Sequence, residues 1–305
     1  MEKKEEIMEV LPKEICSLLA NNNVDFQFMQ EIRMRIDQPL QMMYQGQKWF
    51  LTKSGERKKT PQNAFYVSEK MLKEALNYMA EYSVYAFQEE MKQGFLTIRG
   101  GHRVGIAGKV IVDKSNVIGM KYLSSINIRI AHERRGCADQ VLPYLFQRME
   151  LLHTLILSPP GCGKTTLLRD LIRKLSNGGY TIGVVDERSE IGACYKGIPQ
   201  NDVGIQTDIM DACPKTEGIL MLIRSMAPQI VAVDEIGGRK DMEMLQYGMN
   251  CGCIFLATMH GKTMEEVKQK TDHFMFQRYI ILESIGKIKG IYDGKGEKIC
   301  GILEL

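Results

Sequence analysis

Residues 155 to 170 read Leu155-Ile156-Leu157-Ser158-Pro159-Pro160-Gly161-Cys162-Gly163-Lys164-Thr165-Thr166-Leu167-Leu168-Arg169-Asp170. An apolar strand runs into a glycine-containing loop that closes on Gly-Lys-Thr, and an amphipathic helix opens directly behind it. That order makes the stretch a phosphate-binding P-loop, the Walker A element. Backbone N–H groups converging at a helix N-terminus cradle nucleotide phosphates. Here Pro160, Gly161, Cys162, Gly163, Lys164, Thr165 and Thr166 would form the cradle. Lys164 reaches the β and γ oxygens, and the Thr165 hydroxyl ligates magnesium. ATP and Mg2+ are therefore the expected cofactors. Ser158 stands where the eight-residue pattern begins with glycine, while Gly163, Lys164 and Thr165 keep to it.

A second apolar run, Ile230-Val231-Ala232-Val233, ends in Asp234-Glu235. A continuous apolar run of this length fits a buried parallel strand. Asp234 at its C-terminal end is expected to hold the magnesium, and Glu235 to act as the general base that orients the attacking water. Tyr180 to Asp186 reads as another buried strand ending in charge, Asp186-Glu187-Arg188. Carboxyl ends of parallel strands line the ligand crevice of a doubly wound sheet, so Asp186 and Glu187 are expected to face the nucleotide. A further strand, Cys253 to Thr258, leads to Met259-His260-Gly261, placing Thr258 and His260 where they could sense a γ-phosphate. Thr216 to Ser225 reads as the helix before the Asp234 strand.

A chain of 305 residues suits two domains of about 150 residues each. The expected organisation is α/β: a C-terminal RecA-like P-loop NTPase domain over 151–305 with a doubly wound, mostly parallel sheet, behind a smaller α+β domain over 1–150. Forty Lys and Arg against 37 Asp and Glu make no global electrostatic demand for nucleic acid or an acidic membrane. The eight cysteines are dispersed without a C-x-x-C pair, as in a reduced cytosolic protein, and Cys251-Gly252-Cys253 lacks the further ligands of a metal site. The N-terminus lacks the apolar core of a secretory signal, and no apolar run reaches a membrane span. A cytoplasmic location is expected, with any membrane association peripheral and through a protein partner.

In the first half, residues 1 to about 20 suit a helix broken at Pro12 and ended by Asn21-Asn22-Asn23. Glu31 to Ile36 and the run through Trp49, Phe50 and Leu51 alternate as strands, and a helix capped by Ser68 follows. Gly94 to Gly108 mixes five glycines with Arg99, His102 and Arg103. It reads either as a hairpin whose glycines permit tight turns or as a functional basic loop. Asn127 to Ile130 reads as a short strand, and a helix over Ala138–Met149 is expected to lead into the ATPase domain.

These motifs carry a family resemblance. Arg224-Ser225-Met226-Ala227-Pro228-Gln229 running into Val233-Asp234-Glu235-Ile236-Gly237, with Ala257-Thr258-Met259-His260-Gly261 behind it, resembles the R-x-x-P-D segment, Walker B and His box of type II and type IV secretion ATPases. Gln229 stands where those families carry an acid, and Asp234 where they usually have glycine. Glu31 to Arg35, Gly100 to Gly108, Asn127 to Ala131 and Val185 to Ile191 together resemble the stage III sporulation protein AA family along nearly the whole chain. The resemblance implies an oligomeric, hexameric cytoplasmic ATPase at the base of a secretion-like channel during endospore formation, on the mother-cell side, docked on an integral-membrane partner. It also implies that the N-terminal domain serves assembly and caps the nucleotide. Arg99, Arg103 and Arg129 would then be arginines reaching the nucleotide, Glu187 an accessory acid and Arg224 an inter-element contact.

Two other function classes fit parts of the sequence. A nucleic-acid-binding P-loop ATPase of recombinase or helicase type would use Arg99, His102, Arg103 and Lys109 on a phosphate backbone. The near-neutral charge and the lack of interleaved aromatics, with only Phe95 nearby, argue against nucleic acid. A nucleotide-gated scaffold would bind ATP without turnover, and Glu235 in its expected place argues against that.

Overall fold

The protein is described from a computed structural model over residues 3–21, 24–81, 88–92, 94–114, 116–271 and 275–305. It divides into two units, Met1–His132 and Glu133–Leu305.

In the first unit the break at Pro12 separates α1 (Lys3–Glu9) from α2 (Lys13–Asn21), while Asn22 and Asn23 lie outside the described residues. Four strands follow, β1 (Met29–Arg35), β2 (Gln41–Tyr44), β3 (Gln47–Leu51) and β4 (Arg57–Lys58). Next come α3 (Glu69–Met79) and α4 (Gln88–Lys92), then β5 (Phe95–Ile98), β6 (His102–Asp113) and β7 (Asn116–Arg129). The seven strands form one antiparallel sheet in the order β4-β3-β2-β1-β7-β6-β5. Period-two alternation sends Ile32, Met34, Val104, Ile106, Ile126 and Ile128 to the buried face. The side chain of Ser68 caps α3 by accepting the Met71 N–H at 3.3 Å.

Gly94–Gly108 forms a hairpin: β5 turns through Arg99–Gly101 into β6. Gly100 sits at φ +81°, where a Cβ would run into the Glu6 carboxylate and the His102 ring. Only glycine fits there. His102 is fully buried, its Nδ1 accepting the Ala131 N–H at 3.0 Å and its Nε2 lying 3.2 Å from Glu6 Oε2.

The second unit opens with a short hairpin, β8 (Phe146–Gln147) and β9 (Glu150–Leu151). The main elements are β10 (Thr154–Ser158), α5 (Lys164–Asn177), β11 (Ile182–Asp186), β12 (Thr207–Asp211), α6 (Lys215–Ser225), β13 (Ile230–Val233), α7 (Arg239–Asn250), β14 (Ile254–His260) and α8 (Met264–Thr271). The chain ends in β15 (Arg278–Ser284), β16 (Lys287–Asp293), β17 (Lys298–Cys300) and β18 (Leu303–Glu304). The sheet order is β12-β11-β13-β14-β10-β15-β16-β17, with β18 on β16. β12 through β15 are parallel in that order, and β16 to β18 add an antiparallel edge. Both faces are covered. Ile156, Val184, Ala232 and Leu256 join one core with Leu168 and Leu171 of α5, while Leu155, Leu157, Val231 and Val233 join the other with Leu222 of α6 and Leu245 of α7. This is why the strands read as unbroken apolar runs.

The helix expected over Ala138–Met149 does not form. Residues 142–145 make a single 3-10 turn with Pro143 near its start, and Arg148 and Met149 take φ +49° and +71° to close the β8–β9 hairpin. Pro143 has no N–H to donate back into a continuing helix, and two consecutive left-handed residues end any helix. Cys137, Ala138, Val141 and Leu145 are buried in the α5 core, so residues 133–150 group with the second unit and not with the first.

Candidate functional site

The loop between β10 and α5 turns on glycine. Gly161 and Gly163 take φ +74° and +90°, and no atom lies within 4 Å of where a Cβ would project from either. Open space above two left-handed residues, at a helix N-terminus with no side-chain cap, is a cradle for an anion. Ser158 is accommodated because it ends β10 and is fully buried, its hydroxyl donating to the Pro159 carbonyl at 2.7 Å. Thr166 is half-buried in the first turn of α5, and the Cys162 thiol points toward the Pro160 and Glu283 carbonyls, each at 3.8 Å.

Parallel register aligns the ends of the strands. Val233 pairs with Ala257 across β13 and β14, and Ser158 with His260 across β10 and β14. Lys164, Thr165, Asp234, Glu235, Thr258 and His260 consequently meet at one edge. The Thr165 hydroxyl donates to Asp234 Oδ2 at 2.7 Å, and the Thr258 hydroxyl donates to Asp234 Oδ1. The Thr258 oxygen in turn accepts the Glu235 N–H at 2.8 Å. Glu235 itself takes the left-handed φ of +54°. Its Oε1 lies 2.6 Å from Lys164 Nζ and 3.1 Å from His260 Nε2, and its Oε2 lies 2.7 Å from Arg188 Nη1. Burial pushes the Glu235 carboxyl up, but the hydrogen bond and charge of Lys164, with Arg188 and His260, outweigh it and hold the group below the usual carboxylate range.

Glu187 is exposed at the end of β11 and pairs with Lys215 at the start of α6, lining a small cleft with Asp186, Arg188, Asp234 and Glu235. Asp186, expected to face the nucleotide, lines this cleft with its carboxylate engaged by its own turn. Its carboxylate is buried and accepts the backbone N–H groups of Glu190, Ile191 and Gly192 at 2.8, 2.9 and 2.8 Å, shaping the following turn. Burial pushes its pKa up to about 6 against the pull of those donors. Gln229 sits at the opposite edge of the sheet, where its Oε1 accepts the Thr181 N–H at 3.0 Å. Arg224 is exposed in the last turn of α6, which runs back from that cleft to the Gln229 end. In the first unit, Arg99 is exposed in the β5–β6 turn and Arg103 stacks on Phe95 at 3.6 Å. Arg129 lies between Arg103 and Glu31 in a row across β6, β7 and β1.

The donor set fits magnesium: a hydroxyl and a carboxylate, both hard oxygens, beside a phosphate cradle. Among the described residues no group of three or more His, Cys, Asp or Glu converges as a metal cage. A cation held by one or two protein oxygens, with phosphate and water supplying the rest, is how magnesium binds in nucleotide sites. Sequence reasoning missed Arg188 and Lys215. The signal for Arg188 was its place directly behind the charged end of a buried strand; Lys215 gave none.

Fold and site together define a P-loop protein of the secretion-ATPase fold. The fold is shared with the ATPase DotB of Legionella pneumophila (11% identical, 91% of this chain and 76% of that one, TM-score 0.55) and with the pilus retraction motor PilT solved with ADP (17% identical, 95% and 82%, TM-score 0.59). The family model for sporulation stage III, protein AA matches residues 1–299. Stage III sporulation protein AA of Bacillus subtilis is 39% identical over 306 residues, 95% of each chain. The chain belongs to the stage III sporulation protein AA family. No helix among the described residues is long and apolar enough to cross a membrane.

Proposed function

We propose that this chain is a magnesium-dependent ATPase, the motor of a secretion-like channel complex in endospore formation. The observation that carries the reading is the convergence of Lys164, Thr165, Asp234, Glu235 and His260 on one strand edge beside an open left-handed glycine loop. The loop N–H groups and the N-terminus of α5 bind phosphate. Lys164 exchanges its contact with Glu235 for phosphate oxygens. Asp234, steadied between the Thr165 and Thr258 hydroxyls, presents its carboxylate to the cation. Bound magnesium would neutralise charge developing on the phosphoryl oxygens. Glu235, released by Lys164, orients the attacking water, and His260 responds to whether that carboxylate is engaged. Glu187 is an accessory acid at the rim of the same cleft. The first unit, with Arg99, Arg103 and Arg129, serves assembly and caps the nucleotide, and Arg224 makes an inter-element contact. The assembly is a homo-hexamer, cytoplasmic on the mother-cell side and held peripherally at the membrane through an integral-membrane protein. The sporulation family and the fold shared with secretion and pilus motors support this part of the reading.

The test is magnesium-dependent ATP turnover across a protein concentration series, with mass measured at each point, for the parent, Lys164→Ala and Glu235→Gln. Turnover that rises with assembly and is lost in both variants is expected. A Lys164→Ala protein as active as the parent would overturn the reading.

A further inference from the structure

Glu235 has no carboxylate oxygen to spare. Oε1 is taken by Lys164 and His260, and Oε2 by Arg188 at 2.7 Å. Lys164 and His260 lie in the P-loop and at the end of β14, where the P-loop pattern and the parallel register account for them. Arg188 is different: it is two residues beyond β11, in a turn whose backbone is tied down by hydrogen bonds while its own side chain is exposed. Three N–H bonds to Asp186 hold the turn from inside. Arg169 of α5 clamps it from outside, donating to the Ile191 and Glu190 carbonyls at 2.7 and 2.5 Å. The Arg188 side chain remains 63% accessible on this fixed base, reaching over the cleft it lines with Glu187 and Lys215. Lys215 is already committed to Glu187.

Resting on the nucleotide reading above, we propose that Arg188 is the residue by which this site distinguishes a nucleoside triphosphate from a diphosphate. The two formal cations at Glu235 have different obligations. Lys164 belongs to the P-loop, and because it reaches the β as well as the γ oxygens, either nucleotide draws it off Glu235. Arg188 approaches from the opposite oxygen and from the rim. A guanidinium presents five donors in a planar fork and can hold a carboxylate and a phosphate oxygen at once, which an ammonium at the same place cannot do with fixed geometry. With a terminal phosphate present, the fork bridges it to Glu235 and fixes the carboxylate's direction. With a diphosphate the fork has only Glu235 and keeps the carboxylate engaged. Arg188 thus touches the terminal phosphate itself and, through its bond to Glu235, sets the direction of that carboxylate.

Equilibrium binding of ADP and of a non-hydrolysable ATP analogue, each with magnesium, tests this on the full chain as parent, Arg188→Ala and Arg188→Lys. Arg188→Ala is expected to weaken the analogue by about ten- to a hundred-fold, the size of a lost hydrogen bond to a charged group, and to leave ADP within about twofold. Arg188→Lys, which keeps the charge without the fork, is expected to fall between. Arg188→Gln gives the same readout should the alanine variant lose its fold. Equal effects on both nucleotides, or none on either, would overturn the role of Arg188 alone. A parent that binds neither nucleotide would remove the nucleotide reading and this inference with it.

Discussion

Replacing Thr258 by valine tests how the Glu235 backbone is held. Thr258 is fully buried, donates to Asp234 and accepts the Glu235 N–H at 2.8 Å. Valine has the same shape and removes both bonds. Losing a hydrogen bond to a carboxylate costs about 1.5–3 kcal/mol. The Glu235 N–H keeps Asp234 Oδ1 at 3.1 Å and is not orphaned, so the second loss is smaller, about 0.5–1 kcal/mol. The added methyl returns roughly 0.8 kcal/mol through burial. The net cost is about 2 kcal/mol, which lowers the melting temperature of a unit this size by about 4–8 °C. Function should suffer more than stability. The left-handed Glu235 stores about 1 kcal/mol of backbone strain that the Thr258 oxygen helps to hold, and in the proposed role of Glu235 as general base its misplacement would cost about a hundredfold in rate. The assay is calorimetric melting alongside ATP turnover for Thr258→Val and Thr258→Ser. The serine variant keeps the hydroxyl and should retain most of both properties. A valine protein with parental melting and parental turnover would refute the claim that this hydroxyl positions Asp234 and Glu235.

Two further outcomes concern the frame of each unit. Burial, with the charges of Lys3 and His132, lowers the His102 pKa from 6.5 to about 4, so the unfolded chain takes up a proton first as pH falls; the contribution is complete above pH 6.5 and fades toward pH 4. Urea unfolding of the full chain should lose about 2 kcal/mol from this group between pH 7.5 and pH 5, and His102→Gln should remove that part of the pH dependence. An unchanged pH slope in the variant would exclude a neutral buried imidazole. Asp170 is 2% exposed, accepts the Ala138 N–H at 2.8 Å and takes two bonds from Arg173 at 2.9 and 2.6 Å. Asp170→Ala should cost about 3 kcal/mol in chemical denaturation, because it leaves a half-buried guanidinium and a buried N–H without their acceptor, while ADP affinity stays near parental. A loss below about 1 kcal/mol would show that residues 133–150 are not anchored through this carboxylate.

What the sequence determined by itself was whatever local chemistry dictates. A strand, a glycine loop and a helix in succession can satisfy their backbone groups in few ways, so Leu155 to Asp170 declared both the P-loop and the doubly wound sheet around it. Pro12, Ser68 and the apolar strands were legible for the same reason: their preferences act within a few residues. Tertiary structure decided the rest. The span from 138 to 149 carries enough apolar residues for a helix, yet Pro143 and the left-handed pair Arg148 and Met149 fold it as a turn and hairpin that lies against α5. Asp186 and Glu187 are adjacent in sequence and alike in charge, but strand alternation points one into the backbone of its own turn and the other toward Lys215. Arg188 and Glu235 meet only because β11 and β13 are neighbours in a fixed parallel register, and a spacing of dozens of residues carries no trace of that contact.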